Sequence, residues 1–191
     1  MKSDNVILLD CFGLFAADPL VTFFDRHYGK ESKTLKDHFC QGADLGEVDL
    51  SGFLDNLHRE LGLDKEKVMD ELREIGKIDP EMMGLAKRLK ESHEVILLSN
   101  CIQGMMEEIF GGSDFHFCFD KLYLSYEIGL IKPYRPIYDL VMKDIGKRDG
   151  QIVFFDDNPT NIPEAINAGI DAILFESIEQ MKAELTKRGL L

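Results

Sequence analysis

The stretch "VILLDCFGLF" (residues 6–15) decides the fold. Four apolar residues run without a polar interruption and stop on Asp10. A short uninterrupted apolar run reads as a strand covered on both faces, because a strand with one wet face alternates. Asp10 then stands where the chain leaves the sheet. The pattern recurs in "EVILLSN" (94–100), "QIVFFDD" (151–157) and "DAILF" (171–175), with "KLYLS" (121–125) as a weaker fifth run.

Helical periodicity fills the intervals. Asp79-Pro80 opens a helix that runs to about residue 91, with Asp as N-cap and Pro in the first turn. Others are predicted over 102–110, 135–146, 160–168 and 178–188, and Gly146 and Gly169 read as C-terminal stops. Strands alternating with helices imply a doubly wound parallel sheet, an α/β fold. Residues 15–78 break this rhythm. Asp18-Pro19 starts a helix there, followed by helices at 32–40, 51–61 and 64–75, with Ser51 and Asp64 as caps and a loop at 40–51. The expected organisation is a core of residues 1–14 and 79–191, with a small helical domain over 15–78 inserted after the first strand.

Composition narrows the function. The 191 residues carry a formal net charge of -13, with 35 acidic against 22 basic residues. No dense basic stripe interrupts that field, which repels nucleic acid and anionic membrane surfaces. None of the four cysteines, Cys11, Cys40, Cys101 and Cys118, forms a C-x-x-C pair, so no structural zinc site is expected. The chain shows neither a signal peptide nor an apolar run of about 18 residues. A reduced, cytoplasmic protein is the expectation.

In doubly wound sheets, ligands gather at the carboxyl ends of the strands. Asp10, Ser99, Asn100, Asp156 and Asp157 all fall there. Any one of them reads equally well as a helix cap or a solvated loop residue; their common position at the ends of one sheet singles them out together. Cys101, at the predicted start of the 102–110 helix, is a candidate for a lowered thiol pKa.

Four ordered segments carry a resemblance: Asp10 in "LLDCFG", Ser99 in "LLSN", Lys132 in "GLIKPYRPIY", and Asp156-Asp157 in "FFDDNPTN". Together they resemble the haloacid dehalogenase-like hydrolase superfamily, closest to its sugar-phosphate phosphatase and epoxide-hydrolase-N-domain-like branch. The resemblance implies a Rossmann-like core with the helical insert as a cap. It makes Asp10 the nucleophile that forms an aspartyl phosphate. Mg²⁺ is expected on Asp10, Asp157 and the backbone carbonyl of Phe12, with Asp156 bound directly or one shell out. Ser99 and Lys132 would engage the transferred group. The amides of Phe12 and Gly13, together with Asn100, would complete the substrate site. The implied partner is a small phosphorylated substrate, with the chain working as a monomer or a homodimer.

One position departs from the family pattern. The residue two after the nucleophile is usually a second Asp that protonates the leaving oxygen, and here it is Phe12. Losing such a group costs about 10²–10⁴ in rate, or about 3–5 kcal/mol of barrier. Three readings follow. The first is a phosphatase for esters that leave readily, such as sugar 1-phosphates. The second is a catalytically degenerate protein that binds a phosphorylated ligand. The third is a 2-haloacid dehalogenase, to which Tyr138 and a cap arginine such as Arg26 would contribute. In the first case a cap residue could replace the missing acid, with His27, Asp44, Glu47 and His58 as candidates.

Overall fold

The computed structural model describes residues 2–111 and 113–191. Its strands are β1 (Val6–Leu9), β2 (Glu94–Ser99), β3 (Lys121–Leu124), β4 (Ile152–Asp156) and β5 (Asp171–Leu174). They pair in parallel in the order β3-β2-β1-β4-β5. All five apolar runs are strands, and "KLYLS" supplies the edge. β1 lies at the centre, with Leu9 opposite Leu97 on one side and Phe155 on the other.

Alternate residues of these strands feed two separate cores. Ile7, Leu9, Val95, Leu97, Val153 and Phe155 face one layer, while Val6, Leu8, Ile96, Leu98 and Phe154 face the other. Both sets are buried, which explains why the strand sequences show no polar alternation. The second layer is built largely from α8 (Arg135–Ile145) and the segment around α9 (Ile162–Asn167). The first includes α5 (Pro80–Ser92), α6 (Met105–Phe110) and α10 (Ile178–Lys187).

Between β1 and α5 lie four helices: α1 (Pro19–Tyr28), α2 (Ser32–Asp44), α3 (Leu50–Leu61) and α4 (Lys65–Ile75). Their apolar faces meet through Phe24, Phe39, Phe53 and Leu72, and this cluster is continuous with the first layer of the sheet. Asp18, Asp64 and Asp79 cap α1, α4 and α5 with their side chains; such caps stabilise by roughly 1 kcal/mol each. The cap of α3 is Asp49, which accepts from the Gly52 amide, rather than Ser51.

Three local differences from the sequence reading bear on function. First, α2 does not stop at residue 40 but runs on through Asp44. Gly42 costs about 1 kcal/mol inside a helix, but the burial of Cys40 and Ala43 on either side holds the extra turn. Second, α6 begins at Met105, because Gly104 takes a left-handed φ of 91° and serves as its N-cap. Third, a single helical turn, α7 (Ser125–Ile128), follows β3 and was not anticipated. The bundle rests on the core near this turn. A Cβ at Gly46 would come within 2.4 Å of the Tyr126 carbonyl, and the Leu50 amide donates to the Gln103 carbonyl at 2.9 Å. No helix among the described residues is long and apolar enough to cross a membrane.

Candidate active site

Register brings the acidic residues together. Because Leu9 faces Phe155, Asp10 and Asp156 leave adjacent strands side by side, and the Asp10 amide donates to the Phe155 carbonyl at 3.0 Å. One carboxylate oxygen each from Asp10, Asp156 and Asp157 lie within 4.8 Å of one another. Lys132, on the loop between α7 and α8, inserts its ammonium between two of them. Its Nζ lies 2.8 Å from Asp10 Oδ2 and 2.6 Å from Asp156 Oδ2.

Burial opposes charge on Lys132, but the two carboxylates outweigh it and raise its pKa, so the ammonium is held protonated. Burial drives the Asp10 carboxyl well upward; Lys132 opposes this and Asp156 adds to it. Asp157 is pushed up to about 6, first by burial and then by Asp156 and Asp18. Three carboxylates share one ammonium, so negative charge is in excess. An all-oxygen donor set of this kind suits a hard divalent cation.

The supporting contacts assign different tasks to the three acids. Asp156 is fully engaged: Asn161 Nδ2 donates to both its oxygens at 2.9 Å, the Asn158 amide donates to Oδ1, and Lys132 holds Oδ2. A carboxylate offers about four acceptor sites, so Asp156 is filled and fits behind a cation better than on it. Asn161 is fixed in turn by the Tyr138 hydroxyl, which donates to its backbone carbonyl at 3.0 Å. The sequence reading missed Asn161. Its signal lay in "DDNPTN", where Asn161 stands five residues beyond Asp156. Asp157 lies directly over Gly13, where a Cβ would come within 2.1 Å of its carboxyl group. Gly13 also takes a φ of 87°, so both its conformation and this close approach require glycine.

Other residues sit differently from expectation. The Gly13 amide, expected to hold substrate, instead donates to the Ala16 carbonyl at 2.7 Å. Asn100, also placed on the substrate, uses both ends of its amide on the Lys132 backbone, at 2.9 Å each. It therefore positions Lys132. Ser99 is fully buried, and its hydroxyl donates to the Asn100 carbonyl at 3.2 Å, longer than an ordinary O–H···O bond. Phe12 is a core residue stacked on Phe110 at 5.8 Å. Among the described residues its carbonyl accepts no hydrogen bond, which suits it to a cation. Cys101 precedes the start of α6 by four residues, and burial raises its thiol pKa, the opposite of an activated thiol.

A cavity of ≈ 550 Å³ lies between the bundle and the strand ends, with Phe24, Lys36 and Asp44 on one wall and Asn100, Lys132 and Asn158 on the other. Of the four acid–base candidates in the bundle, Asp44 alone lines it. His27 pairs with Glu71 at 2.8 Å on an exposed face. His58 contacts the Leu63 carbonyl beyond the end of α3. Glu47 lies over Gly42. Arg26 also turns to Glu71, at 3.4 Å.

A family model for the haloacid dehalogenase-like hydrolases matches residues 11–169. The chain belongs to that family. A D-ribitol-5-phosphate phosphatase of Bacteroides thetaiotaomicron is 28% identical to this hydrolase over 145 residues, covering 69% of the chain and 70% of the relative. A drimenol cyclase of Aspergillus calidoustus is 30% identical over 118 residues; that match covers 60% of the chain and only 22% of the cyclase. Among solved structures, a haloacid dehalogenase family enzyme of B. thetaiotaomicron superposes with a TM-score of 0.78 at 20% identity, covering 96% of this chain and 99% of that one. The same enzyme in complex with magnesium and inorganic phosphate superposes at 0.75, with 21% identity over 93% and 98% of the two chains.

Proposed function

We propose that this hydrolase is a Mg²⁺-dependent phosphatase for a small phosphorylated sugar or polyol, with Asp10 as the nucleophile. The observation that carries the reading is the convergence of Asp10, Asp156, Asp157 and Lys132 at the ends of two neighbouring strands. The cation would be held by Asp10, Asp157 and the Phe12 carbonyl, with Asp156 behind them. When bound, magnesium supplies the positive charge that lets an anionic carboxylate approach an anionic phosphoryl group.

Asp10 attacks phosphorus in line and forms an aspartyl phosphate as the ester oxygen departs. Lys132 balances charge on Asp10 and on the phosphoryl oxygens as the bond forms. Ser99 and the Phe12 amide are the donors assigned to the transferred group. Water then cleaves the aspartyl phosphate and frees Asp10. The helices of residues 15–78 act as a cap on the core of residues 1–14 and 79–191, and a cavity of ≈ 550 Å³ has the size for a small metabolite. The ribitol-phosphate phosphatase relative supports a phosphorylated polyol or sugar as the substrate class.

The test is a panel of sugar and polyol phosphates assayed with and without Mg²⁺. The expected result is phosphate release that requires the cation and disappears in Asp10→Asn. Ligand binding without release from any ester would instead support the degenerate binding protein.

A further inference from the structure

We infer that Asp44, in the last turn of α2, protonates the departing ester oxygen and supplies the acid that Phe12 cannot; this rests on the phosphatase reading above. The cavity itself narrows the choice. Its ionisable lining includes three carboxyls from the bundle, Asp25, Asp37 and Asp44, beside lysines that include Lys36 and Lys132. Lys132 is committed to Asp10 and Asp156 and held protonated. Lys36 is held protonated as well, because the carboxylates of Asp18, Asp44 and Asp37 outweigh its burial. Asp37 pairs with Lys33 at 2.5 Å and, like Asp25, is exposed. Among the described residues no hydrogen bond or ion pair holds the Asp44 carboxyl, and it shares the cavity with the lysine that touches the nucleophile.

Its surroundings keep it acidic at the right pH. Burial, offset by Lys36 and Lys132 and reinforced by Asp18, raises the Asp44 carboxyl to about 7. Cys40 on its own helix and the buried Cys101 also sense it, and burial keeps both thiols neutral. A general acid is most effective with a pKa near the working pH.

The step balances. Asp10 forms a bond to phosphorus as the phosphorus–ester oxygen bond breaks, and the electron pair leaves on that oxygen with the proton of Asp44. The Asp44 carboxylate then takes a proton from the water that attacks the aspartyl phosphate. Phosphate leaves, Asp10 is freed, and Asp44 is acidic again.

The experiment compares wild type, Asp44→Asn and Asp44→Glu with Mg²⁺ on an alkyl polyol phosphate and on p-nitrophenyl phosphate, whose leaving group needs no proton. Folding is checked by circular dichroism. In Asp44→Asn the expected kcat on the alkyl ester falls about 10²-fold or more, and a decline of kcat through about pH 7, expected of wild type, is absent. The first-turnover burst of p-nitrophenol changes less than about threefold, and Asp44→Glu recovers part of the alkyl activity. An unchanged alkyl kcat, or a burst reduced as much as alkyl turnover, overturns the role of Asp44 and leaves the phosphatase reading standing. A wild type that releases phosphate from neither ester removes both.

Discussion

The two walls of the cavity are built on opposite principles. On the strand side Lys132 and the Asp156 behind it are each held by several partners. Lys132 is gripped by two carboxylates and by the Asn100 amide, and Asp156 accepts from four directions. On the bundle side, Lys36 and Asp44 sense each other only through space, and among the described residues neither is bonded. Reactions need atoms fixed to a fraction of an ångström, and that fixing comes from hydrogen bonds between neighbours on a rigid sheet. Selecting a substrate, or lending it a proton, tolerates and even requires a wall that adjusts. Under the proposed function, the difference assigns the chemistry to the sheet and the choice of ester to the inserted helices.

The sharpest way to break that division is Asp10→Asn, which should lower phosphate release by about 10⁴-fold or more in steady-state assays while the protein stays folded. Loss of activity to the same depth from a bundle substitution that does not unfold the protein would contradict it. Phe53→Ala probes the other side. Phe53 is fully buried among the helices, and denaturant titration should show a loss of about 3–5 kcal/mol. Turnover of p-nitrophenyl phosphate per folded molecule should change less than about threefold, because no reacting group moves.

Asn161→Ala removes the donor that holds both oxygens of Asp156. The stability loss should be about 1–3 kcal/mol, and loss of the support behind the cation should lower apparent Mg²⁺ affinity by roughly 10-fold or more, measured from the metal dependence of turnover. A change in stability alone would make Asn161 a purely structural residue.

The smallest expected effect concerns pH. The folded-state pKa of Asp44, raised to about 7, exceeds that of an unfolded carboxylate. Its contribution to stability is therefore present in full below about pH 4 and is lost as pH rises through about 7. Asp44→Asn has no such loss, so its melting temperature should gain on wild type between pH 4 and 8, by several degrees. A constant difference across that range would show that Asp44 is not desolvated.

Much of this was readable in advance, for identifiable reasons. The five strands announced themselves because burial on both faces forbids polar residues. Asp10, Ser99 and Asp156-Asp157 stood out because each interrupts such a run where it leaves the sheet. The task of Asn100 was hidden, because a side-chain amide bonding a residue 32 positions away leaves no local pattern; Asn161 lies only five residues from the Asp156 it holds. Asp44 was read into a loop, since Gly42 looks like a helix stop and the burial of Ala43 that overrides it is a tertiary fact.

The amino-acid order by itself determined the alternation of strands and helices, the four-helix insertion and the chemical identity of the acids, because periodicity and capping are properties of neighbours in the chain. Only the tertiary structure decided which carboxylates share an ion-sized space, which amides are already spent, and that Phe12 is packed against Phe110 while Asp44 stands at the cavity. Those are matters of distance between remote residues, and distance is set by packing.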